Sequence, residues 1–220
     1  MDVLITQPVT QRLWDNHCEK WSNCTRCSLG DTTKTHVLGR GKLPCEILFI
    51  GEAPGPQENN VGLPFVGPAG SILTNLMLDL KNVWRPYSWF ITNTLACYPR
   101  RGEPDPFPEG FRAPEVDELE ACFPRVLEVF QVARPRAVVL LGKSAEASFA
   151  LTKAKAKKAT SAEAVLQRMK DSKAIDTLLI PATVVPVWHP SYILRNGGLA
   201  SKQYTLTLEK LHKELQVLDE

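Results

Sequence analysis

Residues 47–71, ILFIGEAPGPQENNVGLPFVGPAGS, constrain this chain more than any other stretch. Ile47, Leu48, Phe49 and Ile50 form an apolar run too short for a helix and rich in β-formers, which predicts a buried strand. Gly51 ends the run. Glu52, Ala53, Pro54 and Gly55 then build a turn beyond the strand's carboxyl end, where open α/β sheets place their ligands. A second glycine-rich turn, Gly62 to Gly70, presents the ring of Phe65 between glycines, ahead of a helix expected from about Ser71 to Leu80. A ring held there can stack on a flat ligand. Taken singly, Glu52 reads as a turn cap and Phe65 as a core plug. Together, two long turns carrying two carboxylates, Glu52 and Glu58, with no packing reason to be there read as functional loops on a rigid scaffold.

The pattern of strand, loop and helix recurs down the chain. Trp89 to Thr94 alternates like a second strand and places Asn93 at its carboxyl end, near Glu52 and Phe65 if the two strands are neighbours. An amide there can donate and accept at once, or simply cap a turn. A helix follows from about Pro114 to Ala133, with Leu119, Cys122, Val126, Leu127 and Phe130 at helical spacing. Ala137 to Gly142 is a continuous apolar strand of the kind covered on both faces. Gly142 to Ala145 opens another helix, whose N–H groups can hold a phosphate or only turn the chain. Thr183 to Trp188 is a fourth strand, running directly into His189-Pro190-Ser191, and Ser201 to Leu218 reads as an amphipathic helix. This alternation implies an α/β fold: a three-layer α/β/α sandwich around a four-stranded, mostly parallel sheet, with the candidate residues at the strands' carboxyl ends.

At 220 residues and 44% hydrophobic content, one substantial core suffices, so 1–220 reads as a single domain. The formal net charge of +2 neither demands nor excludes nucleic acid, because a local basic patch decides that matter. Two stretches are candidates. Arg100 to Pro114 is proline-rich, reads as an irregular surface loop, and carries arginines able to meet phosphates. Residues 151–174 set Lys153, Lys155, Lys157, Lys158, Arg168, Lys170 and Lys173 among alanines, which suits an exposed basic helix. No apolar run approaches membrane-spanning length, and residues 1–17 lack the order of a secretory signal. The expectation is a cytoplasmic, intracellular monomer without a membrane partner.

Six cysteines without an export signal favour metal binding or free thiols over a disulfide framework. Cys24 and Cys27, in C-T-R-C, can both reach one metal centre, a spacing shared by zinc ribbons, iron–sulfur proteins and redox motifs. The redox reading wants such a pair at a helix start, whereas Leu29-Gly30-Asp31 reads as a loop. Cys18 and Cys45 read as packing residues.

GEAPG at 51–55, Glu58, GLPFVG at 62–67 and Ala69-Gly70 together resemble the first active-site motif of the family 4 uracil-DNA glycosylases, iron–sulfur members of the uracil-DNA glycosylase superfamily. I-T-N at 91–93 resembles that family's second strand, and H-P-S at 189–191 the motif shared across the superfamily. The resemblance runs from Cys24 to Arg195. It implies hydrolysis of the N-glycosidic bond of uracil in single- or double-stranded DNA, the first step of base excision repair. It implies a [4Fe–4S] cluster on Cys24, Cys27, Cys97 and Cys122. Glu52 and His189 would be catalytic, with Gly51, Ala53, Glu58, Phe65 and Asn93 around the base and Glu58 toward its C5. Ser191, Ile193, Leu194 and Arg195 would meet DNA, Ile193 and Leu194 as a wedge in the vacated stack.

The chain departs from that pattern in places. Ala96 stands where the family suggests a lysine, Pro68 where it suggests a basic residue, and the interval from Cys97 to Cys122 is long. Residues 151–174 look like an insertion. Two other readings stay open: a non-catalytic or altered-specificity protein that binds DNA or a modified base on the same iron–sulfur scaffold, and a zinc-stabilised nucleotide-binding protein.

Overall fold

The computed structural model describes residues 3–83, 87–100, 110–146 and 182–219. The expected basic helix at 151–174 and most of the expected loop at 100–114 lie outside the described residues.

Five strands form one sheet in the order β1-β3-β2-β4-β5: β1 (Arg40–Gly41), β2 (Ile47–Gly51), β3 (Trp89–Asn93), β4 (Ala137–Leu141) and β5 (Thr183–Val187). The four anticipated strands are present and mutually parallel. The addition is β1, two residues paired antiparallel to β3 at the edge. Arg40-Gly41 has no apolar run to betray it. The central strands β2 and β4 are buried along their whole length, as continuous apolar runs require when both sheet faces are covered.

Side chains alternate between two cores. Ile47, Phe49, Ile91, Val139 and Val185 face α4 (Pro68–Val83) and α7 (Lys202–Leu215), represented by Leu73, Leu211 and Leu215. Leu48, Ile50, Phe90, Val138 and Leu140 face α5 (Val116–Ala133) through Val126, Val129, Phe130 and Ala133. The result is the three-layer α/β/α sandwich. Each fully buried Leu, Ile or Phe in these layers contributes roughly 1.5–3 kcal/mol relative to exposure. Among the described residues, no helix is long and apolar enough to cross a membrane.

Three short elements differ from expectation. Leu29–Thr32 is a four-residue helix, α2, where a loop was expected, so Cys24 and Cys27 do precede a helical turn. Burial pushes the Cys27 thiol above its ordinary range, the reverse of an activated redox thiolate. Pro56–Val61, between the two expected turns, is a helix, α3: the Glu58 carboxylate accepts from the Gly55 N–H at its start, Pro56 opens it and Gly62 ends it. Pro190–Arg195, α6, continues directly from His189.

The longest unanticipated element is α1 (Val3–Trp21), which packs on α5. Its anchor is polar. Glu128 of α5 accepts from Trp21 Nε1 at 2.6 Å and from His17 Nδ1 at 3.1 Å, and also pairs with Lys20. A carboxylate only accepts, so the proton on His17 sits at Nδ1. Burial raises the Glu128 pKa, but the bonds from His17, Lys20 and Trp21 outweigh it and bring the group down to about 2. A depressed carboxylate stabilises the fold above its unfolded value of 4.5, and that contribution is lost as pH falls from there toward 2. Glu128→Gln should therefore cost ~2 kcal/mol at pH 7. In urea titrations at several pH values, the gap between wild type and variant should close below pH 4.5.

Candidate active site

Parallel pairing of β2 with β3 sets Gly51 opposite Asn93 at the carboxyl end of the sheet. The neighbouring side chains leave no room for one at position 51: a Cβ on Gly51 would lie 2.3 Å from Asn93 Oδ1 and 2.6 Å from the Phe65 ring. The turns beyond the two strands are tied together, since Thr94 and Leu95 donate their N–H groups to the carbonyls of Gly51 and Glu52. With its backbone engaged, Glu52 turns its carboxylate into the adjoining cavity, where among the described residues it meets no hydrogen-bond or ionic partner.

Phe65 is held in a left-handed backbone conformation, φ 55°, which costs a non-glycine residue free energy and persists only when its neighbours enforce it. Arg40 Nη2 donates to the Phe65 carbonyl at 3.0 Å. Glu58 accepts from the N–H groups of Val66 and Gly67, both at 2.9 Å, and from Gly55 at 3.1 Å. Glu58 thus has the structural purpose that its sequence context concealed: it staples the second turn to the start of α3. The Phe65 ring comes to rest 6.0 Å from the His189 ring, tilted by 36°.

His189 follows β5 and caps α6. Its Nδ1 accepts from the Ser191 N–H at 3.1 Å and lies 2.7 Å from Ser191 Oγ. A backbone N–H can only donate, so the ring proton resides on Nε2. Burial, with the Arg195 cation as second cause, pushes His189 down to about 4, leaving a neutral ring with an Nε2–H donor at pH 7. Gly142, at φ 89°, gives way to this residue: a Cβ there would stand 2.7 Å from that of His189.

These groups open on one cavity of about 410 Å³, within the range of small-molecule sites. Glu52, Ala53, Glu58, Phe65, Asn93 and His189 line it, with Ser191 and Arg195 at its α6 side. Asn93 is 1% exposed and, among the described residues, its Oδ1 has no partner. A buried acceptor left unsatisfied is uncommon and costs roughly 1–3 kcal/mol. Leu194 is exposed on α6, whereas Ile193 is fully buried against Ile72, Leu76 and Tyr204. The expected pairing of both as a wedge is corrected: the roughly 100° step between neighbouring helical residues turns Ile193 into the core and leaves Leu194 outside. Arg112 is also not the free phosphate ligand expected, because its guanidinium forks onto the carboxylate of Glu118. Sequence reasoning missed two contributors. Phe111 lines the cavity from a segment that reads only as loop, and Arg40 supports Phe65 from a strand too short to register.

The cysteines gather elsewhere. Cys24, Cys27, Cys97 and Cys122 line one pocket with Trp21, Leu29 and Leu95, at the junction of the segment after α1 with β3 and α5. All six cysteines are free thiols. Burial, then the neighbouring Cys122, Cys27 and Cys24, pushes the Cys97 thiol up to about 12. Cys45 lies in the core beneath α5 and Cys18 packs beside the four, as expected. Among the described residues, no three His, Cys, Asp or Glu side chains converge tightly enough to hold a single metal ion. The four sulfurs instead line the wall of a shared space.

The sequence profile of the Uracil DNA glycosylase superfamily matches residues 38–212, from just before β1 into α7. A type-4 uracil-DNA glycosylase of Thermotoga maritima is 32% identical over 195 residues, covering 89% of each chain. One of Sulfurisphaera tokodaii is 30% identical over 190 residues, 82% of this chain and 76% of that protein. The chain belongs to the type-4 family of the uracil-DNA glycosylase superfamily. A further type-4 protein, from Saccharolobus solfataricus, is 38% identical over 120 residues, so that the chain spans about half of that relative, 51%. The superfamily match begins downstream of Cys24 and Cys27, whereas it includes every residue lining the 410 Å³ cavity.

For this member of the superfamily, the tautomer and charge of His189 are directly measurable. Followed by histidine side-chain NMR, the ring should stay neutral and protonated at Nε2 until the pH falls to about 4, rather than titrating at 6.5. Arg195→Ala should move the midpoint upward, because a nearby cation disfavours a second positive charge.

Proposed function

We propose that this chain is a DNA glycosylase that hydrolyses the bond between uracil and deoxyribose, with 1–220 acting as one domain on uracil-containing DNA. The observation that carries the reading is the buried Asn93 Oδ1, unsatisfied among the described residues, on the wall of the cavity that Phe65 and His189 also line. Uracil presents an imide N–H between two carbonyls. An amide oxygen can take that N–H while its NH₂ serves the adjacent carbonyl. Names of the type-4 relatives support the same assignment.

The chemistry follows from charge. Breaking the bond at uracil N1 leaves an anionic base and a cation-like sugar. His189 donates from Nε2 to the O2 where negative charge develops, and a preorganised donor of this kind contributes about 3 kcal/mol of barrier lowering. Glu52, on the cavity wall and without a partner among the described residues, orients water toward C1′ and offsets the positive sugar. Phe65 stacks on the base. Glu58 stands toward C5 and, with its carboxylate bound to three N–H groups, forms a fixed wall against a methyl group. A base within a duplex must first be flipped out at a cost of a few kcal/mol. Leu194 then fills the vacated stack, while Arg195 and Ser191 meet the backbone phosphates.

The cysteine pocket fits a [4Fe–4S] cluster. Four free thiols line one apolar space, the number of thiolates that a [4Fe–4S] cluster takes. Cys24, Cys27, Cys97 and Cys122 would hold it, and its contribution would be structural: a cross-link between the N-terminal segment, β3 and α5, away from the cavity. Purified protein should then be brown, with absorbance near 400 nm and about four irons per chain. Cys24→Ala or Cys97→Ala should yield colourless, poorly soluble protein, and a stoichiometric zinc content in place of iron would refute the assignment.

The catalytic roles separate chemistry from binding. His189→Ala and Glu52→Gln should each slow single-turnover release of uracil by ~10²–10³-fold with little change in DNA affinity. Asn93→Asp should lose uracil activity and gain preference for cytosine, whose exocyclic amine can donate to the carboxylate. Free base released from oligonucleotides holding uracil, cytosine or thymine at one position measures all of this. A wild type that releases none of them would replace the catalytic reading with that of a base-binding protein.

A further inference from the structure

Arg125 is the most completely buried cation among the described residues, with 0% exposure, and no carboxylate pairs with it there. Every one of its donor nitrogens is nonetheless engaged. Nε donates to Cys122 Sγ at 3.3 Å. Nη1 donates to Thr92 Oγ1 at 3.0 Å and to the Leu38 carbonyl at 3.3 Å. Nη2 donates to the carbonyl of Asn93 and, at 3.4 Å, to that of Thr94.

A guanidinium does not lose its proton in proteins, and a buried charge without a counter-ion is strongly disfavoured. Carbonyl dipoles solvate the cation but leave its charge uncompensated. Among the described residues, its hydrogen-bond partner able to carry negative charge is the sulfur of Cys122, with Cys97, Cys27 and Cys24 on the same pocket wall. Thiolates ligating a cluster would supply the anion that this cation lacks. Its opposite edge grips the backbone of Asn93, whose side chain points into the 410 Å³ cavity.

We propose that Arg125 is a positioning residue that joins the two sites: internal counter-ion of the thiolate cluster on one edge, and clamp on the uracil-facing Asn93 on the other. The proposal rests on the cluster reading of the four cysteines. It makes the filled cysteine pocket and the shape of the base pocket interdependent through a single side chain. Arg125 touches neither base nor sugar, so its removal acts on recognition through Asn93 and on the lifetime of the cluster through the sulfur.

The test compares wild type, Arg125→Gln, Arg125→Lys and Thr92→Val as full-length protein. Iron content comes first. The rate at which absorbance near 400 nm disappears after addition of a chelator is then measured, together with the affinity of cluster-bearing protein for free uracil by calorimetry. Arg125→Gln should lose its colour ~10-fold faster and bind uracil ~10-fold more weakly, the range typical of groups that support metal ligands. Its cluster should also be harder to reduce, because loss of a nearby positive charge disfavours the added electron. Arg125→Lys keeps the charge and should restore the reduction potential and most of the colour lifetime, but not the uracil affinity, since it loses the fork onto Asn93. Thr92→Val removes one acceptor while keeping shape, and should shift both readouts in the same direction by less.

A colour lifetime in Arg125→Gln equal to that of wild type overturns the counter-ion role. Faster loss of colour with unchanged uracil affinity overturns the link between the sites. If Arg125→Gln does not fold, Thr92→Val decides, and wild-type values for both readouts overturn the proposal. Iron-free wild-type protein refutes the cluster reading itself, whereas iron-bearing wild type with an indifferent Arg125→Gln refutes this proposal alone.

Discussion

The absence of a side chain at position 51 is the constraint on which the site depends. With only hydrogen there, β2 and β3 can end level and the Asn93 amide can pass in front of β2 toward the Phe65 ring. A methyl group would have to displace either the amide or the ring, and so deform the cavity wall they form. Asn93 is fixed from behind by Arg125, and Phe65 by Arg40 and by the turn that Glu58 staples. The cavity wall is therefore set by backbone registry and by buried polar bonds, and owes little to the freedom of its own side chains.

Such a wall carries costs. Phe65 in a left-handed conformation and Asn93 with an acceptor orphaned among the described residues each cost on the order of 1–3 kcal/mol, and a buried guanidinium without a carboxylate costs more. These features cluster at the carboxyl ends of β2 and β3. The opposing stabilisation comes from strands buried on both faces between α4 and α7 on one side and α5 on the other. An unsatisfied acceptor on a rigid wall is what a pocket needs if its ligand is to complete the bonding, because nothing internal must be broken when the ligand arrives.

Much of this was legible from the chain alone, for identifiable reasons. The four longer strands are apolar runs ended by glycine or a polar residue, and a parallel sheet turns each such ending into a position on the same rim. Glu52, Phe65, Asn93 and His189 met there because each follows a strand or its turn. What escaped depends on contacts across long separations. Helix α1 includes Pro8 and is secured by Glu128, 107 residues beyond Trp21. Neighbours Ile193 and Leu194 are equivalent in sequence, and only the rotation of α6 buries one and exposes the other. Arg125 sits between apolar residues of α5, where charge ordinarily marks the solvent face. The role of Glu58 escaped as well, because its bonds to the Val66 and Gly67 N–H groups cross from α3 to the second turn.

The division of charge at the site has a physical logic that bears on how the proposed reaction runs. A protonated imidazole would stabilise a departing uracil anion more strongly than a neutral one. Yet with a midpoint of about 4, charging His189 at pH 7 costs about 4 kcal/mol. That exceeds the ~3 kcal/mol ordinarily obtained from a well-placed donor, so most of what the cation added would be spent in forming it. The Ser191 N–H reinforces the choice, because it needs a lone pair on Nδ1 and would be left facing a second donor if the ring took up a proton. Arg195 adds repulsion. Positive charge thus stays on the α6 side of the cavity, where phosphates would lie, while the base meets an uncharged donor held in one tautomer. In the proposed reaction, an anion stabilised by that donor would leave without a proton, and the remaining charge of the transition state would fall to Glu52.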